Sequence, residues 1–526
     1  MVRIRPALAR RCVGVIALGA LIASMTASVS AASTGSEHAS LVVSTANGAV
    51  RGADAGTTNE FLGLPYAAPP VGALRWRAPA PAASWHGVRD ATQLAPHCAQ
   101  SASPFGQAST SEDCLYLNVF TPAHARGRLP VMVWIHGGAL VTGESDDYDP
   151  SRLVGDGAIV VTINYRLGAL GFLAHPALAG AGGGSGDYGL MDQQAALRWV
   201  QRNIGQFGGD ARDVTIFGES AGGLSVASQL ASPSARGLFD RAIIESGAYG
   251  LNTASLATAE SAGQAFATAA GCASQTAACL RSLPVATILA DQNAAGYQPN
   301  IDGTIVTEPL KTALATGHFN HVPVMNGSNH DEYRLFVALD ALEGAPVTAA
   351  NYQATIAGTL GVTPAIASVI AAQYPLSAYP SPALALGAVG TDAIFACPAL
   401  TLDESVSKYV PTYAYEFNDE NAPELFLPPL GFPYGAAHAS EIQYLFSLTV
   451  EAIPATLSPQ QEQLAATMRT YWTSLARTGS PSRIGTPLWP RFTTAGQRIQ
   501  SLTTPRPQVE TDFATEHNCG FWALAG

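Results

Sequence analysis

Val214-Thr215-Ile216-Phe217-Gly218-Glu219-Ser220-Ala221-Gly222 is the stretch on which the fold turns. Four strand-forming residues run into G-x-S-x-G, and a helix-compatible run, Gly222–Ser232, follows. Small residues at Gly218 and Gly222 let the chain turn so sharply that Ser220 Oγ projects from the top of a sheet, the arrangement called a nucleophile elbow. A bare G-x-S-x-G is common by chance, and the bland alternative is a glycine-rich turn with an incidental serine. The strand before and the helix after favour the chemical reading.

Outward from this turn, short apolar runs recur at Pro130–His136, Ala158–Asn164, Ala242–Glu245, Val322–Asn326 and Thr412–Phe417. They are continuous rather than alternating, as strands are when helices cover both faces of a sheet. Asp192–Phe207 places Ala196, Val200, Ile204 and Phe207 at helical spacing, and Gln460–Ala476 is a second clear helix. Strand and helix alternation predicts an α/β fold, with a mostly parallel central sheet between helices. Residues 338–390, rich in Ala, Pro and Thr, read as a helical insertion beside the sheet. With no linker and no internal repeat, 32–526 reads as a single domain.

A serine hydroxyl is a poor nucleophile and needs a base and donors for the developing oxyanion. The run Val131–Ile135 ends in His136-Gly137-Gly138-Ala139-Leu140, a glycine loop able to bring backbone N–H groups close to a substrate. The N–H of Ala221 would complete the set. Eleven histidines compete for the base on residue type alone.

Composition excludes several classes. Of 526 residues, 47% are hydrophobic, so a large core is possible, and 51 Gly with 35 Pro fall short of a low-complexity chain. The net charge of −12 argues against a nucleic-acid partner. Residues 1–31 carry Arg3, Arg5, Arg10 and Arg11, the apolar run Cys12–Ala23 and the small-x-small end Val29-Ser30-Ala31, the order of a secretory signal peptide. Arg10-Arg11 leaves Sec and twin-arginine export both open. Cleavage after Ala31 would take the net charge from −12 to −16. The apolar run is too short to span a membrane, and no later stretch reads as a better span, so no stable membrane insertion is expected. Six cysteines remain, an even number that suits disulfides in an exported chain, and spacing cannot choose their partners. No Cys/His cluster suggests a metal.

Longer blocks carry a resemblance. Phe61–Arg77, Ser111–Pro122, Val161–Phe172, Gly189–Gln193 and Phe207–Asp210, running into GESAGG, resemble in order the type-B carboxylesterases, the family of bacterial and fungal esterases and the cholinesterases. The resemblance implies an α/β-hydrolase fold and a serine hydrolase acting on a small ester without cofactor or metal, which the signal peptide would send to the periplasm or outside the cell. It places the acid of the triad in Gly327–Glu332, on Glu332 rather than Asp331, and the base in Gly435–Ile442, on His438. It assigns Gly138, Ala139 and Ala221 as oxyanion donors, with Gly137 shaping the turn. Asp331 and Glu441 are expected to be structural. It further implies the pairs Cys98–Cys114, Cys272–Cys279 and Cys397–Cys519, and a buried ion pair between Arg75 and Glu112.

The chain also departs from the family pattern. The segment Ala99–Asp113, where cholinesterases carry a choline-binding Trp, has only Phe105 as an aromatic. Ala139 replaces a third glycine, and Gly186-Asp187 replaces a usual Gly-Asn. Pocket walls are expected from loops around 98–113, 248–260, 296–310 and 330–440. The expected substrate is a neutral ester of short to medium acyl length. The alternatives are a lipase, a polyester or aromatic-ester hydrolase, or a binding module that has lost catalysis. Oligomeric state cannot be read from the sequence.

Overall fold

An eleven-stranded sheet organises the molecule, described here from a computed structural model over residues 41–124, 127–180, 183–292, 297–449 and 456–525. The segment read as a signal peptide lies outside the described residues. In chain order the strands are β1 (Ala53–Asp54), β2 (Thr58–Pro65), β3 (Tyr116–Pro122), β4 (Leu129–Ile135), β5 (Ile159–Ile163), β6 (Gly209–Glu219), β7 (Arg241–Glu245), β8 (Val324–Asn329), β9 (Thr412–Phe417), β10 (Ile499–Leu502) and β11 (Gln508–Glu510). Their order across the sheet is β11-β10-β9-β8-β7-β6-β4-β5-β3-β2-β1. From β10 through β5 the pairing is parallel, and antiparallel strands close both edges. Two hydrophobic clusters lie against the sheet, one containing Val131, Val133 and Ile135, the other Met132 and Trp134. Alternate residues of β4 thus face opposite cores, which is why its sequence is apolar throughout.

The elements differ from the sequence reading at their ends. β6 is longer than 214–218 and reaches from Gly209 to Glu219. β8 begins at Val324 and continues past Asn326 through Gly327-Ser328-Asn329, all buried. Those polar residues hide the strand from a reading by hydrophobicity. The helix expected at 192–207 is α1 (Tyr188–Asn203) followed by a 3-10 turn, Ile204–Phe207. The elbow leads into α2 (Ala221–Ala231), and the late helix is α8 (Pro459–Thr478), opened by a capping box between Ser458 and Gln461.

The insertion is helical: α3 (Arg334–Leu342), α4 (Tyr352–Leu360), α5 (Pro364–Gln373) and α6 (Pro382–Gly390). A π-helical stretch, Thr391–Ala396, joins α6 to α7 (Cys397–Val406). The expectation that no later stretch could rival a membrane span is corrected here. Pro382–Val406 is 25 residues long and apolar enough by length and composition, but 67% of its most apolar window is buried in the fold. It is a core helix whose hydrophobicity is satisfied by protein.

All six described cysteines are paired, Cys98–Cys114, Cys272–Cys279 and Cys397–Cys519. Arg75 grips Glu112 through Nε and Nη2 at 2.6 and 2.5 Å. Asp187, for which the sequence offered no account, accepts the Asn300 N–H at 3.1 Å and so ties the start of α1 to the short strand Asn300–Ile301.

Candidate active site

Ser220 stands between β6 and α2 with φ 56° and ψ −120°, a conformation a non-glycine residue adopts only under constraint. Its N–H donates to Glu245 O at 2.8 Å, anchoring the turn to the end of β7. The flanking glycines are required by contact. A Cβ on Gly222 would lie 1.9 Å from Ile135 O, and one on Gly218 2.5 Å from the same oxygen. The elbow can therefore sit tightly on β4 only with glycine at both places.

The strand that receives the elbow also leads into the glycine loop. After β4, Gly138 (φ 95°) and Ala139 (φ 54°) turn through left-handed conformations. A Cβ on Gly138 would meet Thr142 O at 2.2 Å, so this position needs glycine, whereas Ala139 tolerates its methyl group. The Gly138 and Ala139 N–H groups have no acceptor among the described residues. Ala221 opens α2, where N–H groups lack partners in their own helix. Gly137 packs beneath the elbow, its Cβ position 3.2 Å from Ser220 Cβ.

Glu332 follows β8, and His438 comes from a loop 106 residues later. His438 Nδ1 lies 2.5 Å from Glu332 Oε2, and Glu332 Oε1 accepts the Asn329 N–H at 2.8 Å. His438 Nε2 makes no hydrogen bond in this state and faces Glu219 Oε1 at 3.1 Å. Phe395 and Phe336 pack on the imidazole, with ring centroids at 5.0 and 5.2 Å. Burial opposes charge on His438, but Glu219 and Glu332 outweigh it and lift its pKa to about 9. Burial pushes Glu219 up to about 8 against the pull of His438.

The nearby carboxylates have other partners. Asp331 is held by Arg334 Nη2 at 2.7 Å and accepts the Ala436 N–H at 3.0 Å. Glu441 accepts from Asn329 Nδ2 at 2.5 Å.

A cavity of about 160 Å³ opens above Ser220, lined by Gly137, Gly138, Ala139, Glu219 and His438. Its walls are largely apolar, with Phe105, Leu335, Phe336, Leu339, Phe426 and Ile442 among them. The expected wall segments 98–113 and 330–440 contribute, but among the described residues 248–260 and 296–310 line no part of the cavity. In their place stand Thr142, Asp147 and Tyr148, and beyond His438 come Ile442 and Leu448. The glycine loop and the histidine loop thus extend into the walls, continuity that no local sequence pattern reveals. Burial, then Glu144 and Asp146, push Asp147 up to about 9. Glu219 was in plain view inside the elbow motif; its position against His438 was not.

Comparison with known proteins gives a consistent picture. Residues 39–522 match the Carboxylesterase family. The chain is 37% identical to an acylcarnitine hydrolase of Mus musculus over 82% of its own length and 81% of the relative's. It is 36% identical to a para-nitrobenzyl esterase of Bacillus subtilis, over 84% and 90%, and 35% identical to a fumonisin B1 esterase of Sphingopyxis macrogoltabida, over 87% and 85%.

Proposed function

The chain belongs to the carboxylesterase family of α/β hydrolases and is a carboxylic ester hydrolase, and from that premise we propose that Ser220, His438 and Glu332 carry the reaction through an acyl-enzyme. His438 Nε2 takes the Ser220 hydroxyl proton as Oγ attacks the ester carbonyl. Glu332 holds the imidazole at Nδ1 and stabilises the imidazolium without being protonated itself. The Gly138, Ala139 and Ala221 N–H groups receive the oxyanion. Collapse expels the alcohol, which takes the proton from His438 and leaves the acyl group on Ser220 Oγ. Water, activated by the same base, then releases the acid. The observation that supports this most is the 2.5 Å contact of Glu332 with His438 beside Ser220 in one cavity.

The substrate we propose is a neutral ester of short to medium acyl length. An engineered cavity of about 150 Å³ holds benzene. By that measure the 160 Å³ here accepts a group of similar size on one side of the ester. The walls favour an apolar group, and Asp147, pushed up by burial, leaves little charge on that wall to recruit a cation. Export follows from the reading of residues 1–31 as a signal peptide and from three disulfides, which persist in oxidising compartments. We read 32–526 as one catalytic domain.

A p-nitrophenyl ester series from acetyl to palmitoyl, run beside a choline ester, tests the substrate. The expected maximum of kcat/KM lies between acetyl and about octanoyl. A maximum at palmitoyl favours the lipase reading, and efficient choline-ester turnover replaces the neutral pocket by a cation site.

A further inference from the structure

Residues 344–391 contain no Asp, Glu, Lys, Arg or His in 48 consecutive positions. At the chain average of 13% charged residues, about six would be expected there. A charge-free stretch is ordinary when buried, and α6 within it is mostly buried. The α4–α5 portion is not. α5 buries only Ala367 and Ile370, while Ile366 is 46% and Val369 60% exposed on its outer side. A helix with apolar residues on its outer as well as its inner side is expected in a protein interior or against an apolar phase, yet Ile366 and Val369 meet solvent.

The exposed side is joined to the catalytic cavity by α3. Leu335, Leu339 and Leu342 recur at i, i+4 and i+7 and share one face of that helix. Leu335 and Leu339 line the cavity, and Leu342, at the far end, is 47% exposed. Another side of α3 sends Val337 into a core shared with Tyr352 and Ile356 of α4 and Ala367 and Ile370 of α5. The helices that carry the exposed apolar residues are therefore one packed body with the wall of the cavity.

We propose that the exposed face of α4–α5 rests on the surface of an undissolved neutral ester, holding the cavity beside a phase made of substrate. The inference depends on the ester-hydrolase reading above. Charge selects the occupant. α4 and α5, within the charge-free stretch 344–391, make no ion pair with an anionic or cationic surface, and a chain of net charge −12 is repelled by an anionic membrane. An uncharged ester surface is matched by apolar contact alone, and α3, packed on α5 through Val337, carries the cavity wall formed by Leu335 and Leu339 beside it.

The test compares the full-length mature enzyme with an Ile366→Ser/Val369→Ser variant on two substrates, dissolved p-nitrophenyl acetate and a tributyrin emulsion of measured droplet area. Both substitutions are on exposed positions, and the dissolved substrate reports that the fold is intact. The expected result is an unchanged rate on p-nitrophenyl acetate and a rate on tributyrin lower by about fivefold or more, with less enzyme depleted from solution by the droplets. Equal rates and equal depletion overturn the proposal. So does a wild-type dimer that the variant converts to monomer, since the face would then cover a second copy. Stronger depletion by phosphatidylglycerol vesicles than by tributyrin also overturns it, by showing an anionic membrane as the occupant. A wild-type enzyme inactive on p-nitrophenyl acetate is a different outcome and refutes the functional reading itself.

Discussion

Ser220 is held at φ 56° by its neighbours rather than by its own side chain, so Ser220→Ala should keep the fold. We expect ester hydrolysis to fall about 10⁴-fold or more, with an unchanged thermal melt, and a phosphonate probe to label wild type at Ser220 alone. Labelling elsewhere, or turnover in the variant, removes Ser220 from its role. Glu332 and Asp331 are adjacent, but only Glu332 touches the imidazole. Glu332→Gln should lower kcat about 10³-fold or more, whereas Asp331→Asn, which disturbs the contacts with Arg334 and the Ala436 N–H, should act mainly on stability. The reverse order would shift the assignment by one residue. The pH dependence has a definite sign. As the proposed base, His438 has to be neutral to accept the Ser220 proton, and its pKa is raised from 6.5 to about 9 by Glu219 and Glu332 against burial. The acidic limb of kcat/KM should therefore lie above 6.5, with activity gained as pH rises through it. Glu219→Gln removes one of the two carboxylates responsible and should move the limb down towards 6.5. A limb already at 6.5 in wild type, or unmoved in the variant, would mean that Glu219 exerts no field on the base.

Among the elements, the turn from β6 to α2 is the least tolerant. Its contact with Ile135 O leaves no room for a methyl group at Gly222, where a Cβ would come within 1.9 Å. Gly222→Ala should destabilise the protein by about 1–3 kcal/mol or more, read as a lowered Tm or a loss of soluble protein. Gly155, whose Cβ would meet nothing within 4 Å, is the control, and Gly155→Ala should melt as wild type does. The elements recognised most closely from sequence were those with an unbroken apolar signal, such as β9, found at Thr412–Phe417 as expected. β8 was truncated in the reading because its second half, Gly327-Ser328-Asn329, is polar and buried. Its backbone pairs with β9 through Asn329, so register across the sheet, not residue preference, carries the strand on. That last strand residue also holds the site, donating its N–H to Glu332 and its Nδ2 to Glu441.

Across the whole molecule, the disulfides close very unequal loops. Cys272–Cys279 spans 7 positions and Cys397–Cys519 spans 122. In the chain-entropy account, the long loop contributes about 5 kcal/mol and the short one about half that. Replacing both cysteines of each pair by serine should therefore lower Tm more for Cys397/Cys519 than for Cys272/Cys279. The long bridge also fixes α7, at the end of the π-helical stretch that carries Phe395 to His438. Its removal should reduce activity as well as stability. Thiol titration of the denatured, unreduced mature protein should read close to zero.

The amino-acid order alone determined the strand-turn-helix of the elbow, the glycine loop after β4, the helical character of the insertion and an even set of cysteines. These are signals of short range: turn residues, unbroken apolar runs and helical spacing, each decided within a dozen residues. Candidates for acid and base came from motif resemblance; among eleven histidines no local feature singled out His438. Only the tertiary structure decided what surrounds that imidazole: Glu219 at 3.1 Å, Phe336 and Phe395 tilted against it, and walls from Thr142, Tyr148 and Leu448. Only there, too, does a stretch without charge divide into buried α6 and exposed α5. The reason is physical. Burial and the electric field at a side chain are sums over neighbours brought from distant parts of the chain, and those neighbours are fixed by how the helices and loops pack around the sheet.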